Sequence, residues 1–201
     1  MRLEPFTLTG THVQLQPLST QLAPALVEAA TLDRSSFGHT VVPADLHTME
    51  QYVGGLLAEA QRDTTVPFAQ VRRSDGAPVG CTRFMNMLWW PGRDTPSEVE
   101  IGGTWLASDA QRTPLNTEAK LLLLTHAFET LNCIAVEFRT HFFNHQSRRG
   151  IERLGAKLDG ILRSHQRGAG GSLRDTCVYS ITAAEWPTVK AHLGFQLARP
   201  R

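Results

Sequence analysis

Apolar and polar residues alternate near the start of the chain. Val13 and Leu15 stand between Gln14 and Gln16, the period of two expected of a strand with one buried face. The period then lengthens. Leu22, Ala25, Leu26 and Ala29 share one side of a helix that Ser19 is placed to cap. Residues 33–44 carry Ser, Gly, His and Pro and read as a loop, after which Met49, Tyr52, Val53, Leu56 and Leu57 return to helical spacing. Strands are predicted over 66–71 and 79–88, joined by the turn sequence Ser74-Asp75-Gly76-Ala77-Pro78. A third lies beyond the loop 89–96, over 99–106.

The segment 115–131 is a strongly apolar helix, and 134–140 a strand in which Ile134, Val136 and Phe138 alternate with Ala135, Glu137 and Arg139. A helix from about Asn144 to Leu154 stops at Gly155, which supplies the left-handed cap. Strands over 157–164 and 175–181 flank the turn Gly168-Ala169-Gly170-Gly171, and a short helix over 183–193 closes the chain. A helix between the strands 99–106 and 134–140 makes those two parallel inside an otherwise antiparallel sheet. Where such a pair splays, backbone groups stay open to a ligand. The expected fold is α+β, or α/β in three layers: a mixed, mostly antiparallel sheet of six to seven strands, a splayed central parallel pair and flanking helices, in one domain spanning 1–201.

Composition narrows the function without naming it. The chain has 201 residues, 41% of them hydrophobic, and its 20 basic and 19 acidic residues leave a net charge of +1. No basic face for nucleic acid is implied. Cys81, Cys133 and Cys177 are odd in number and widely spaced, which argues against a disulfide framework or a zinc site. No apolar stretch reaches the ~18 residues of a membrane span, and the N-terminus lacks the apolar run of a signal peptide. A cytoplasmic protein is expected. His141 and His145 straddle a strand–helix boundary, so no metal is expected there.

Three segments carry chemistry. The first is Val99–Ala119, VEIGGTWLASDAQRTPLNTEA, in which Gln111, Arg112, Thr113, Pro114, Leu115 and Asn116 lead into a helix. A helix N-terminus offers unpaired N–H groups and the positive end of its dipole to a diphosphate, and Arg112 adds a charge. The second is Asn144-His145-Gln146-Ser147-Arg148-Arg149 and, just after it, Ile151-Glu152-Arg153-Leu154-Gly155. The third is Glu100, with Glu98 alternating onto the same face. A carboxylate facing the splay would accept a proton from an ammonium group.

Together these segments resemble the GNAT superfamily of N-acyltransferases, in its RimJ/RimL-like branch, over about 12–193. The resemblance implies a GNAT fold, acetyl-CoA or another acyl-CoA such as succinyl-CoA as co-substrate, no metal, and an amine acceptor: a protein N-terminus or a small amine. By resemblance, Trp105, Leu106, Gln111, Arg112, Thr113, Leu115, Asn116 and Thr117 bind CoA, Asn144 bonds the pantetheine arm, and Arg148 and Arg149 reach its phosphates. Many relatives use a Tyr as general acid where this chain has Ile151; the RimL-like branch uses the Ser of the same helix, here Ser147. Glu100 is then the base. Pro114 and Asn116 depart from the family pattern, which has Gly and a small residue there. His39, Arg83, Trp89 and Trp90 are candidates for the acceptor pocket, with Phe37 and Gly38 on its rim. A non-catalytic acyl-CoA-binding module is the alternative. The final helix, with Trp186, Val189 and Leu193, packs either within the subunit or across the two-fold axis of a homodimer.

Overall fold

A computed structural model describes residues 3–167 and 171–199. One sheet of eight strands runs in the order β1-β2-β3-β4-β5-β6-β8-β7. The strands are β1 (Leu8–Thr9), β2 (Val13–Pro17), β3 (Thr65–Arg72), β4 (Pro78–Leu88), β5 (Glu98–Leu106), β6 (Ala135–His141), β7 (Lys157–Arg167) and β8 (Leu173–Thr182). That is more than the six to seven expected. The addition is β1, a two-residue edge too short to show a period, which pairs Leu8 with Leu15. The helices are α1 (Ala23–Thr31), α2 (Leu46–Gln61), α3 (Pro114–Thr125), α4 (His145–Arg153) and α5 (Trp186–Ala198).

Several boundaries differ from expectation for physical reasons. Ser19 makes no side-chain cap; a 3-10 turn over Thr20–Leu22 comes first, and α1 begins with Pro24 in its first turn, where a missing N–H costs nothing. The apolar run 115–131 is not one α-helix: it passes into a π-helical turn over His126–Thr130. Ile134 lies outside β6 and is partly exposed, while Val136 and Phe138 are buried as the alternation requires. Gly155 takes φ +100° just after α4, the left-handed conformation of a helix stop. Most of the turn expected at 168–171 lies outside the described residues.

The sheet separates two helical layers. Successive residues of a strand face opposite sides: Thr82 of β4 bonds Lys120 of α3, whereas Cys81 and Arg83 lie on the side of Tyr52 in α2. The helix α3 is pinned to the start of the chain by one carboxylate. Glu118 accepts bonds from the N–H groups of Thr11, His12 and Val13 at 2.8, 2.6 and 2.9 Å. Gly10 makes that approach feasible, since a Cβ there would sit 2.4 Å from the Glu118 carboxyl carbon. Trp186, Val189 and Leu193 are buried within the chain, with Trp186 stacked 5.2 Å from Phe128.

The parallel pair is short. β5 and β6 are in register only at Glu98–Ala135, Val99–Val136 and Glu100–Glu137. Beyond Glu100 they part. On the other side of β5, Gly103 and Thr104 stand opposite the single residue Thr82, because Cys81 pairs with Trp105 and Arg83 with Gly102. This is a β-bulge, and Gly103 takes φ +58° within it.

Candidate active site

Where β5 and β6 separate, a cleft of about 570 Å³ opens. Its floor is Ile101–Leu106, the β5 stretch left unpaired by β6, and its far wall is Phe138–His141. The N-terminus of α3 closes one end, and α4 lines one side through Asn144, Gln146, Ser147, Gly150, Ile151 and Arg153. Among the described residues the lining includes Arg112, Lys120, Arg139, Arg153 and Arg174, with no Asp or Glu. Such a surface attracts an anion.

The loop into α3 is built for this. Thr113 caps the helix, its Oγ1 accepting from Leu115 N at 3.3 Å and donating to Ala110 O at 2.7 Å. Pro114 has no N–H, so two of the first-turn donors are already spent or missing. Asn116 remains, by helix geometry, with its N–H unpaired in the first turn. Its Oδ1 is buried without a partner, an acceptor that a donor on a bound ligand would satisfy. Arg112 stands at φ +60° and lines the cleft. Gln111 ties the loop down, donating to Leu106 O at 2.9 Å and to Ser36 Oγ at 2.8 Å. The second bond brings the α1–α2 loop across the cleft mouth, where His39 lies 5.0 Å from His141, ring to ring. Burial, with Arg174 and His39 nearby, holds the His141 imidazole below its usual pKa.

On α4, Asn144 is the N-cap and its Oδ1 accepts from Ser147 N at 3.0 Å. That spends the oxygen and leaves the amide NH2 for a ligand. Ser147 lines the cleft beside it.

Glu100 sits behind the cleft floor, not in its lining. Its Oε2 accepts from Asn86 Nδ2 at 2.6 Å and lies 3.6 Å from Arg139 Nε. Burial raises its pKa, outweighing Asn86 and Arg139. Gly102, which does line the cleft, is what separates the carboxyl from the opening. Glu98 shares that face, and burial together with the neighbouring Glu137 carboxylate raises its pKa to about 7.

The match to the GNAT acetyltransferase domain covers residues 12–157, well over half of the chain. The chain is a member of the GNAT acetyltransferase family. It is thus an acyl-CoA-dependent N-acetyltransferase. A GCN5-related N-acetyltransferase from Brucella melitensis is 27% identical, with a TM-score of 0.87 over 98% of this chain and 88% of that one. Mycobacterium smegmatis RimJ, solved with CoA-disulfide, is 23% identical, with a TM-score of 0.79 over 97% and 96%. The ribosomal-protein-S5-alanine acetyltransferase of Vibrio fischeri is 14% identical, with a TM-score of 0.69 over 90% and 98%. No curated protein matches.

In this GNAT enzyme the cleft gathers Trp105, Leu106, Gln111, Arg112, Thr113, Asn116, Asn144, Ser147 and His39. Other residues singled out from the sequence stand elsewhere. Thr117 is fully buried and accepts from Arg153 at 2.9 Å, and Leu115 is buried against the opposite side of the loop. Arg148 is committed to Tyr179 Oη at 3.0 Å and Phe142 O at 3.3 Å, over the Phe142 ring, outside the cleft lining. Arg149 is exposed and also outside it. Trp89 and Trp90 lie in the β4–β5 hairpin loop, at the far end of β5 from the cleft. Arg83 packs over Gly103, behind the floor. The residues missed were Lys120, Arg139, Arg153 and Arg174. Arg153 was within reach of the sequence, in the same Glu152-Arg153-Leu154-Gly155 string; Lys120 and Arg139 are cations on elements read for their apolar pattern, and Arg174 stood just outside the strand expected over 175–181, which in fact begins at Leu173.

Proposed function

We propose that this single domain is a cytoplasmic N-acetyltransferase of the RimJ/RimL-like branch. It transfers acetyl from acetyl-CoA to the α-amine of a protein N-terminus. The observation that carries the CoA part is the cleft lining: among the described residues, five Lys and Arg side chains and no carboxylate, beside the capped start of α3. Arg112 and Arg153 face the diphosphate, and the amide NH2 of Asn144 donates to the pantetheine arm. The Thr104–Leu106 backbone, paired with β4 on one side but left uncovered by β6 on the cleft side, offers an N–H to the thioester carbonyl, which becomes an oxyanion as the amine attacks.

Two groups move protons. Glu100, which stands behind the floor, accepts the ammonium proton through a bridging water, a role suited to a carboxyl whose pKa burial raises. Ser147 donates to the departing thiolate. No acyl-enzyme is needed, and Cys81, fully buried with its pKa pushed up to about 12, is a poor nucleophile. The likeness to RimJ and the ribosomal-protein enzyme supports the choice of acceptor.

Release of CoA thiol tests the reading. Purified protein is given acetyl-CoA or succinyl-CoA with a panel of N-terminal peptides and small amines. Preferential turnover of acetyl-CoA with peptides supports it. Preference for succinyl-CoA, or for a small amine, replaces the donor or the acceptor. CoA binding without turnover on any amine turns it into a binding module.

A further inference from the structure

Lys120 is buried to 4% exposure in the second turn of α3, and its side chain reaches the cleft. Lysine is seldom buried without a carboxylate. Here the partners of Nζ among the described residues are two hydroxyls: Thr104 Oγ1 at 2.7 Å and Thr82 Oγ1 at 3.0 Å. Those hydroxyls also bond each other at 2.8 Å. The three residues form a triangle that joins α3 to β4 and β5.

The triangle sits at a particular place. Thr82 and Thr104 face each other across the β4–β5 bulge, where two β5 residues oppose one on β4. Gly103, in the bulge, carries a positive φ. A bulge of this kind re-aims the backbone beyond it, here the Thr104–Leu106 stretch of the cleft floor. β4 pairs Trp105 and Leu106 on one side, but Thr104 falls within the bulge and β6 covers none of this stretch on the cleft side, so the segment next to the left-handed glycine is held along one edge alone. Lys120 clamps it from the face opposite Glu100. Nothing else in the transfer chemistry uses the amine, yet burying an ammonium group without a counter-ion costs stability, and the same burial lowers its pKa to about 7. Such costs concentrate at functional positions.

We propose that Lys120 is a positioning residue for acyl transfer: through Thr104 and Thr82 it fixes the β5 bulge, so that the backbone N–H groups after it hold a constant line into the cleft. This rests on the reading of that cleft as the acyl-CoA site. A misplacement of about 1 Å in such a donor line costs roughly a hundredfold in rate.

Two measurements on the full chain test the proposal, with Lys120→Met, Thr104→Val and the double variant. The first is amide hydrogen exchange at Gly103–Leu106 in the free protein, a readout independent of activity. The second is the split of kcat from KM for acetyl-CoA. Lys120→Met is expected to speed exchange in that segment at least tenfold, without lowering the melting temperature. It is expected to lower kcat by roughly 10- to 100-fold and to leave KM within about threefold. Thr104→Val should act alike, and the double variant no worse than either alone, because all remove one unit. Wild-type exchange in Lys120→Met overturns the clamp, whatever the enzyme's acceptor proves to be. Faster exchange with an unchanged kcat overturns the positioning role. Absence of turnover in the unaltered protein strikes the acetyltransferase reading and leaves the exchange result to judge the clamp.

Discussion

Glu100 and Gly102 fit together because Gly102 has no side chain: a Cβ there would lie 2.9 Å from Glu100 Oε1 and 2.8 Å from Met85 Sδ. The glycine on the cleft floor is therefore what lets the buried carboxyl stand directly behind that floor.

Gly102→Ala should push the Glu100 carboxyl off its place beside Asn86. We expect kcat to fall by about 10- to 100-fold while CoA affinity, measured by calorimetry, stays within a few fold. Glu100→Gln sets the scale, with a loss of about 100-fold or more for a general base.

As the proposed base, the same carboxyl should set the pH profile. A base must be deprotonated to act, and burial raises the pKa of Glu100. Activity should thus climb with pH through a limb lying above the ordinary carboxylate range. In Glu100→Gln that limb should vanish from a plot of log kcat/KM against pH.

Stability should respond to Glu98 in the opposite sense. Its folded pKa, about 7, stands above its ordinary value of 4.5, so the folded chain binds the extra proton between those pH values. The stabilising state is the protonated one, and stability drains away as pH rises from about 4.5 through 7. In thermal melts, Glu98→Gln should flatten this part of the decline. An unchanged slope would place the burden on another group.

Two arginines one helical turn apart, Arg149 and Arg153, should behave differently. Arg153 lines the cleft while already bonded to Thr117 and Gln196. Arg153→Ala is expected to weaken CoA binding by roughly tenfold, the size of one charge-assisted bond, with most of the effect lost at high salt. Arg149→Ala should leave CoA affinity near wild type. Arg148→Ala should act on the Tyr179–Glu152 contact, and hence on melting temperature more than on KM for CoA.

Glu118 offers a purely structural control. Removing a carboxylate that serves three backbone N–H groups, as in Glu118→Ala, is expected to cost about 3 kcal/mol in denaturant unfolding. Its effect on kcat per folded molecule should be small.

Much of this enzyme was readable along the chain. Val13 and Leu15, Val136 and Phe138, and the Met49–Val53–Leu56 series fell on buried faces because burial is the strongest source of periodicity. Asn144 and Gly155 marked the ends of α4, since capping is chemistry between near neighbours. The β1 edge and the 3-10 entry to α1 were invisible for want of length.

The cleft itself was legible only in part. Asn144, Ser147 and the 111–116 loop could be named from local strings. Arg148 could not be separated from Arg153 in that way, because the choice is made by the rotation of α4 about its axis as it packs on β6 and β8. Lys120 lies in an apolar helix that reads as core; its meaning comes from Thr82 and Thr104, 38 and 16 residues away.

Local order, the succession of helices and strands, and the parallel crossover between β5 and β6 were thus contained in the residue pattern, which depends on interactions over a few positions. Where β5 leaves β6, how the Gly103 bulge turns its backbone, and which cations meet around the opening were decided by packing. These depend on contacts between elements far apart in the chain, and no local period records them.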